Sequence, residues 1–140
     1  MNSALTFTGS PYTSFMHETK VTLSNGIELH VEIGGQPEHP VIMLIMGLGA
    51  QLLFWPDFFC KSLIDQGYRV IRFDNRDIGL SSKIRHSGPR LNTFKLMSRF
   101  ALGLENQGAP YNLYDMAEDA ALLIDHLELD NVSVDRKSVV

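Results

Sequence analysis

Val41-Ile42-Met43-Leu44-Ile45-Met46 is apolar without a break and runs straight into Gly47-Leu48-Gly49. Such a stretch is far shorter than the roughly 20 residues that cross a bilayer. A strand with one wet face alternates apolar and polar side chains; a strand without alternation is covered on both faces. The middle of a parallel sheet flanked by helices provides that cover. The run therefore points to an α/β fold.

The flanking segments supply the other layers. Lys20 to Leu23 reads as a strand, and Ser24-Asn25-Gly26 follows. Asn-Gly between apolar alternations marks a tight hairpin, because both residues tolerate positive φ. In the next strand, Ile27, Leu29, Val31 and Ile33 share one face and Glu28, His30 and Glu32 the other. That alternation predicts an antiparallel pair with one solvated face. After Gly49, Pro56 suits a first helical residue. Trp55, Phe58, Phe59 and Leu63 can line the helix, and Gly67 is placed to stop it. Arg69 to Phe73 reads as a strand, and strand, helix, strand makes a right-handed βαβ unit the expectation.

Residues 83–111 differ in composition: Lys83, Arg85, Arg90, Lys95 and Arg99 stand against Glu105. Phe94, Met97, Ala101 and Leu104 lie at helical spacing there. A solvated connection packed by its apolar residues, a lid at a pocket edge and an anion-binding patch are the open readings. From Asn112 the pattern is clean, with Leu113, Met116, Ala117, Ala120, Ile124 and Leu127 on one stripe. Asp115, Glu118 and Asp119 favour the positive end of that helix. Asn131-Val132-Ser133-Val134 begins like a buried strand and gives way to Asp135-Arg136-Lys137-Ser138.

Bulk properties exclude more than they select. The 140 residues suit one domain, and 44% apolar with 20% charged residues is ordinary for a globular protein. A net charge of −4 gives no general attraction to nucleic acid or an anionic membrane. Cys60, the single cysteine, has no internal disulfide partner and reads as a small core residue. Residues 1–18 read as a lead-in, and Met1 to Tyr12 lacks the basic start and apolar core of a signal peptide. A cytoplasmic protein is expected. His17, His30, His39, His86 and His126 show no metal-ligand spacing beside carboxylates, so no metal site is expected. His30 and His126 read as surface residues. Asp74 and Asp77 could be a glycosidase pair or acids that brace the loop at the strand end.

The chemistry-bearing motif is Gly47-Leu48-Gly49. Glycines free a backbone to turn sharply with exposed N–H groups, and such groups stabilise a developing oxyanion. Alone, a Gly-x-Gly after a strand is a common turn. The wider string decides more: Val41 through Gly49, Trp55-Pro56, and Gly67-Tyr68-Arg69-Val70-Ile71-Arg72-Phe73-Asp74-Asn75-Arg76-Asp77-Ile78-Gly79-Leu80-Ser81. With Leu113-Tyr114-Asp115-Met116-Ala117-Glu118-Asp119, it resembles the α/β-hydrolase-fold superfamily, and within it the esterase-type group of aclacinomycin methylesterase-like enzymes.

The resemblance implies the N-terminal half of an α/β-hydrolase fold: a β-hairpin, then βαβ units of a mostly parallel sheet, cut at the start of the nucleophile strand. It covers a partial domain over 19–134, with 135–140 as a tail unlike the family. Gly47, Leu48 and Gly49 match the oxyanion loop, with the Leu48 N–H as first donor. Met46 stands where many relatives have a loop-orienting histidine. Asp74, Asn75, Arg76, Gly79 and Ser81 match an architectural turn after the following strand.

The family's Gly-x-Ser-x-Gly elbow is absent from these 140 residues, and Ser138 lacks flanking glycines. The reading is a truncated, inactive fragment of a serine hydrolase of carboxylic esters or related acyl compounds. Its relatives would take a small ester-like substrate, with no cofactor, nucleic acid or membrane partner; oligomeric state stays open. A fragment of an aspartate-nucleophile epoxide hydrolase or dehalogenase is one alternative. A non-catalytic interaction module on the same sheet is another.

Overall fold

The computed structural model describes residues 15–84, 102 and 111–136. A hairpin of β1 (Met16–Thr22) and β2 (Glu28–Gly34) opens it. Then come β3 (Val41–Ile45), a single 3-10 turn at Leu52–Phe54, α1 (Asp57–Asp65) and β4 (Arg69–Phe73). After the segment beyond residue 84, α2 (Leu113–His126) leads into β5 (Val132–Arg136). The proposed helix of Phe94, Met97, Ala101 and Leu104 lies outside the described residues, as do most of 1–18 and Ser138.

The strands form one five-stranded sheet in the order β1-β2-β4-β3-β5. β2 runs antiparallel to both its neighbours, β1 and β4, while β3 runs parallel to both β4 and β5. This is the expected hairpin followed by a parallel part. β1 starts at Met16, before the Lys20 that the alternation marked, because Met16 already pairs with Gly34.

Each face of the sheet carries its own apolar cluster. One joins Leu29, Val31, Ile33, Met43, Ile71 and Phe73 to Ala120 and Leu123 of α2. The other joins Leu44, Met46 and Val70 to Trp55 and Cys60. A fully buried side chain of this size contributes roughly 1.5–3 kcal/mol. The unbroken apolar run of β3 is thus explained: Met43 faces the first cluster and Leu44 the second.

Four readings of the sequence need correction. The Glu28-His30-Glu32 face of β2 is not solvated, since His30 and Glu32 are both only 6% exposed. β4 docks on the outer edge of β2 and brings Arg72 and Asp74 over that face. In the first helix, Pro56 is the N-cap rather than the first helical residue; Trp55 precedes the helix and stacks on Phe59, while Phe58 points to solvent. In α2, Leu113 and Ala117 are exposed, and Leu123 and Asp119 are buried instead. β5 continues through Asp135 and Arg136 and is mostly exposed, because among the described residues it pairs only with β3.

α2 starts where the sequence placed it. Asn112 accepts hydrogen bonds from the Tyr114 and Asp115 N–H groups, and the Asp115 carboxylate accepts from the Asn112 N–H at 2.6 Å. This reciprocal cap satisfies N–H groups that have no helical partner.

Candidate active site at the carboxyl ends of β3 and β4

β3 and β4 are parallel neighbours, so their loops leave the sheet at the same end. In open α/β sheets this is the end at which ligands bind. After β3, the buried Met46 leads into a turn closed by the Ala50 N–H on the Gly47 carbonyl at 3.3 Å. Gly49 takes φ +78°, a left-handed value; Gly47 does not. Leu48 sits on the turn and is 42% exposed. Among the described residues its N–H donates to no acceptor.

Both ends of this loop are held by the turn after β4. Asn75 Nδ2 donates to the Met46 carbonyl at 2.9 Å, and the Leu52 N–H donates to Asp74 Oδ1 at 2.8 Å. Met46 cannot orient the loop through its side chain as a histidine would, but its carbonyl is fixed by Asn75. Asp74 Oδ2 accepts from the Leu80 N–H at 3.0 Å and faces His30 Nδ1 at 3.2 Å. Ser81 Oγ donates to the Asp74 carbonyl at 2.6 Å and accepts from the His30 N–H at 2.8 Å. Gly79 is required here: at φ +48°, a Cβ would lie 2.0 Å from Asp74 Oδ2. Asp77 also has positive φ, and its carboxylate accepts from the Ile84 N–H.

Arg76 fastens the same turn to α2. Its Nε and Nη2 each donate to the Asp119 carboxylate at 2.6 Å, and Nη2 also reaches the Asp115 carbonyl. Asn25 Nδ2, from the hairpin turn, donates to Asp119 Oδ1 at 2.9 Å. The guanidinium lies 5.4 Å over the Tyr111 ring. Burial, with the nearby Asp77 carboxylate, pushes the Tyr111 hydroxyl up to about 12. Hydrogen bonding to Asp119 holds Arg76 more firmly protonated.

The residues singled out in the sequence, Gly47, Leu48, Gly49, Asp74, Asn75, Arg76, Gly79 and Ser81, all fall in these two adjoining loops. Sequence reasoning missed His30, Glu18, Asn25 and Asp119, whose partners are remote in the chain. It also missed Arg72, 1% exposed, which pairs with Glu32 and Asp57 and donates to the Trp55 carbonyl. A signal was present, since a charge inside Val70-Ile71-Arg72-Phe73 is tolerated only when paired. Cys60 is buried beneath Arg72, and burial raises its thiol above 9.0, which suits a core residue.

The five histidines show no metal-ligand spacing in the sequence, yet the fold brings His30 beside Glu18 and Glu32, with their ligand atoms within 4.8 Å of one another. Two cationic or proton-bearing groups already serve these carboxylates. Arg72 reaches Glu32 at 2.6 Å and 2.8 Å, and His30 Nε2 lies 3.1 Å from Glu18 Oε1. No helix among the described residues is long and apolar enough to cross a membrane.

No protein-family model matches the chain. It is 30% identical over 107 residues to rhodomycin D methylesterase DnrP of Streptomyces peucetius, covering 76% of this chain and 29% of that protein. It is 42% identical over 60 residues to the AB hydrolase superfamily protein YfhM of Bacillus subtilis, covering 43% and 21%. The chain thus spans less than a third of the length of these relatives. Among solved structures, epoxide hydrolase VrEH1 of Vigna radiata matches with a TM-score of 0.65 at 22% identity, over 93% of this chain and 34% of that one. At that identity the likeness is one of fold. The chain belongs to the α/β-hydrolase superfamily and forms an N-terminal portion of its fold.

Proposed function

We propose that this chain supplies the oxyanion side of an ester hydrolase, with the Leu48 N–H as donor to the carbonyl oxygen of a small ester or related acyl substrate. The observation that carries this reading is the Leu48 turn, exposed at the carboxyl end of β3 and tied at both ends by Asp74 and Asn75. A donor held in place before the reaction stabilises developing charge without reorganising. The methylesterase relative favours ester substrates. Asp74, Asn75, Arg76, Gly79 and Ser81 brace the loop and take no part in bond making.

Ester hydrolysis also needs an activated nucleophile, a base and an acid. The 140 residues hold no Gly-x-Ser-x-Gly, so the chain by itself is expected to be inactive toward esters. Oxyanion contacts without a nucleophile accelerate little. No cofactor or metal enters this chemistry, and a cytoplasmic setting fits it.

Two measurements test the reading. Hydrolysis of p-nitrophenyl butyrate should match that of a variant lacking 47–49; a clear excess would show that the chain carries its own nucleophile. An alkyl phosphonate, which mimics the tetrahedral oxyanion, should shift the Leu48 amide resonance on titration. An unmoved Leu48 amide beside shifts elsewhere would remove Leu48 as the donor.

A further inference from the structure

His30 lies at the junction of three segments on one face of the sheet. Its ring is buried, with Nε2 3.1 Å from Glu18 Oε1 of β1 and Nδ1 3.2 Å from Asp74 Oδ2 after β4. An ionised carboxylate only accepts hydrogen bonds, and a neutral imidazole carries a single N–H. With a neutral ring, one of the two contacts would set acceptor against acceptor. Hydrogen on both nitrogens satisfies both.

The surrounding charges leave this role to His30. On β1, Lys20 is the register partner of His30, but its ammonium is bound to Glu28 of β2 at 2.7 Å. On β4, Arg72 is taken by Glu32 of β2 and by Asp57 of α1. Among the described residues, Glu18 and Asp74 therefore share the His30 ring as their cation. The Leu52 and Leu80 N–H groups on Asp74 favour its ionised form as well.

We propose that His30 is a buried imidazolium that ties β1, through Asp74, to the loop after β3, and that loss of its second proton loosens that loop. The brace makes the Leu48 turn pH-sensitive whether or not the turn serves an oxyanion. Burial opposes charge on the ring, but the hydrogen bonds and charges of Asp74 and Glu18 outweigh it, so His30 titrates above 6.5. Burial likewise opposes charge on Asp74, and the bonds from His30, Leu52 and Leu80 outweigh it, so Asp74 titrates below 3.8.

Long-range nitrogen–proton spectra of the full chain across pH 5–9 test this, with His30→Gln assigning the ring. The expected result is a His30 ring protonated on both nitrogens at pH 6.5, with the Leu52 and Leu80 amide shifts following the ring's titration at one midpoint. Glu18→Gln, at a half-exposed site, should lower that midpoint and carry the two amides down with it. A ring already neutral at pH 6.5 overturns the proposal. So do Leu52 and Leu80 amides that stay flat while the ring titrates, or a midpoint indifferent to Glu18→Gln. The phosphonate titration of Leu48 has a separate readout, so either idea can fail without the other.

Discussion

The loops that leave β3 and β4 are neighbours of opposite character. The β3 loop is short, exposes Leu48, and closes on itself through one backbone bond between Ala50 and Gly47. The β4 turn buries Asp74, Asn75, Arg76 and Ser81 and directs their polar groups into at least four other segments of the chain. Among the described residues the Leu48 N–H has no acceptor, and the second loop fixes the ends of the first. In the proposed oxyanion role a donor held for chemistry cannot also hold itself, which fits fixing groups that come from next door.

Variants can break this division of labour, in descending order of effect. Arg76→Ala leaves the Asp119 carboxylate, 1% exposed, with Asn25 as its one remaining side-chain partner among the described residues. Removing one member of such a pair costs about 3–5 kcal/mol, to be read from the shift in denaturant midpoint. Gly79→Ala drives a methyl into Asp74 at a left-handed backbone position. Overpacking and backbone strain together should cost about 2–5 kcal/mol, with Leu52 amide protection lost alongside. A native-like denaturant midpoint in either variant would dissolve the contrast between the loops.

Smaller changes sharpen it. Asn75→Ala strips the Met46 carbonyl of its side-chain donor and should cost about 1–3 kcal/mol. Leu48→Ala, on the exposed side of the same turn, should stay within about 0.5 kcal/mol. Equal losses for the two would mean that the β3 loop holds itself.

The pH dependence of the thermal midpoint follows from two opposite shifts. The His30 contribution is complete below 6.5 and is lost as pH rises through its raised folded value. The Asp74 contribution is complete above 3.8 and is lost as pH falls through its lowered folded value. Stability from the brace should therefore be greatest between 3.8 and 6.5 and decline on both sides. His30→Gln should flatten the alkaline decline; an unchanged slope would assign it to other groups.

Much of this was legible in the chain itself. Unbroken apolarity from Val41 to Met46 required cover on two faces, and Met43 and Leu44 pack into opposite clusters. Asn25-Gly26 marked the hairpin, and the stripe through Met116, Ala120, Ile124 and Leu127 marked α2. These are decisions among residues close in sequence, where spacing and backbone preference suffice. The loop residues of the candidate site were legible too, through their resemblance to known α/β hydrolases.

Tertiary structure alone decided which polar residues are interior. Glu28-His30-Glu32 alternates like a solvated face, and nothing within the hairpin says otherwise. His30 is buried because β4 pairs with β2 on one side and β3 on the other, carrying Arg72 and Asp74 across the strand. Asp119 likewise reads as a favourable charge early in a helix until Arg76 meets it from 43 residues away. Local sequence determines what an element is. Whether its charges can be buried depends on a partner of opposite charge, and only the folded chain brings that partner close enough to offset desolvation.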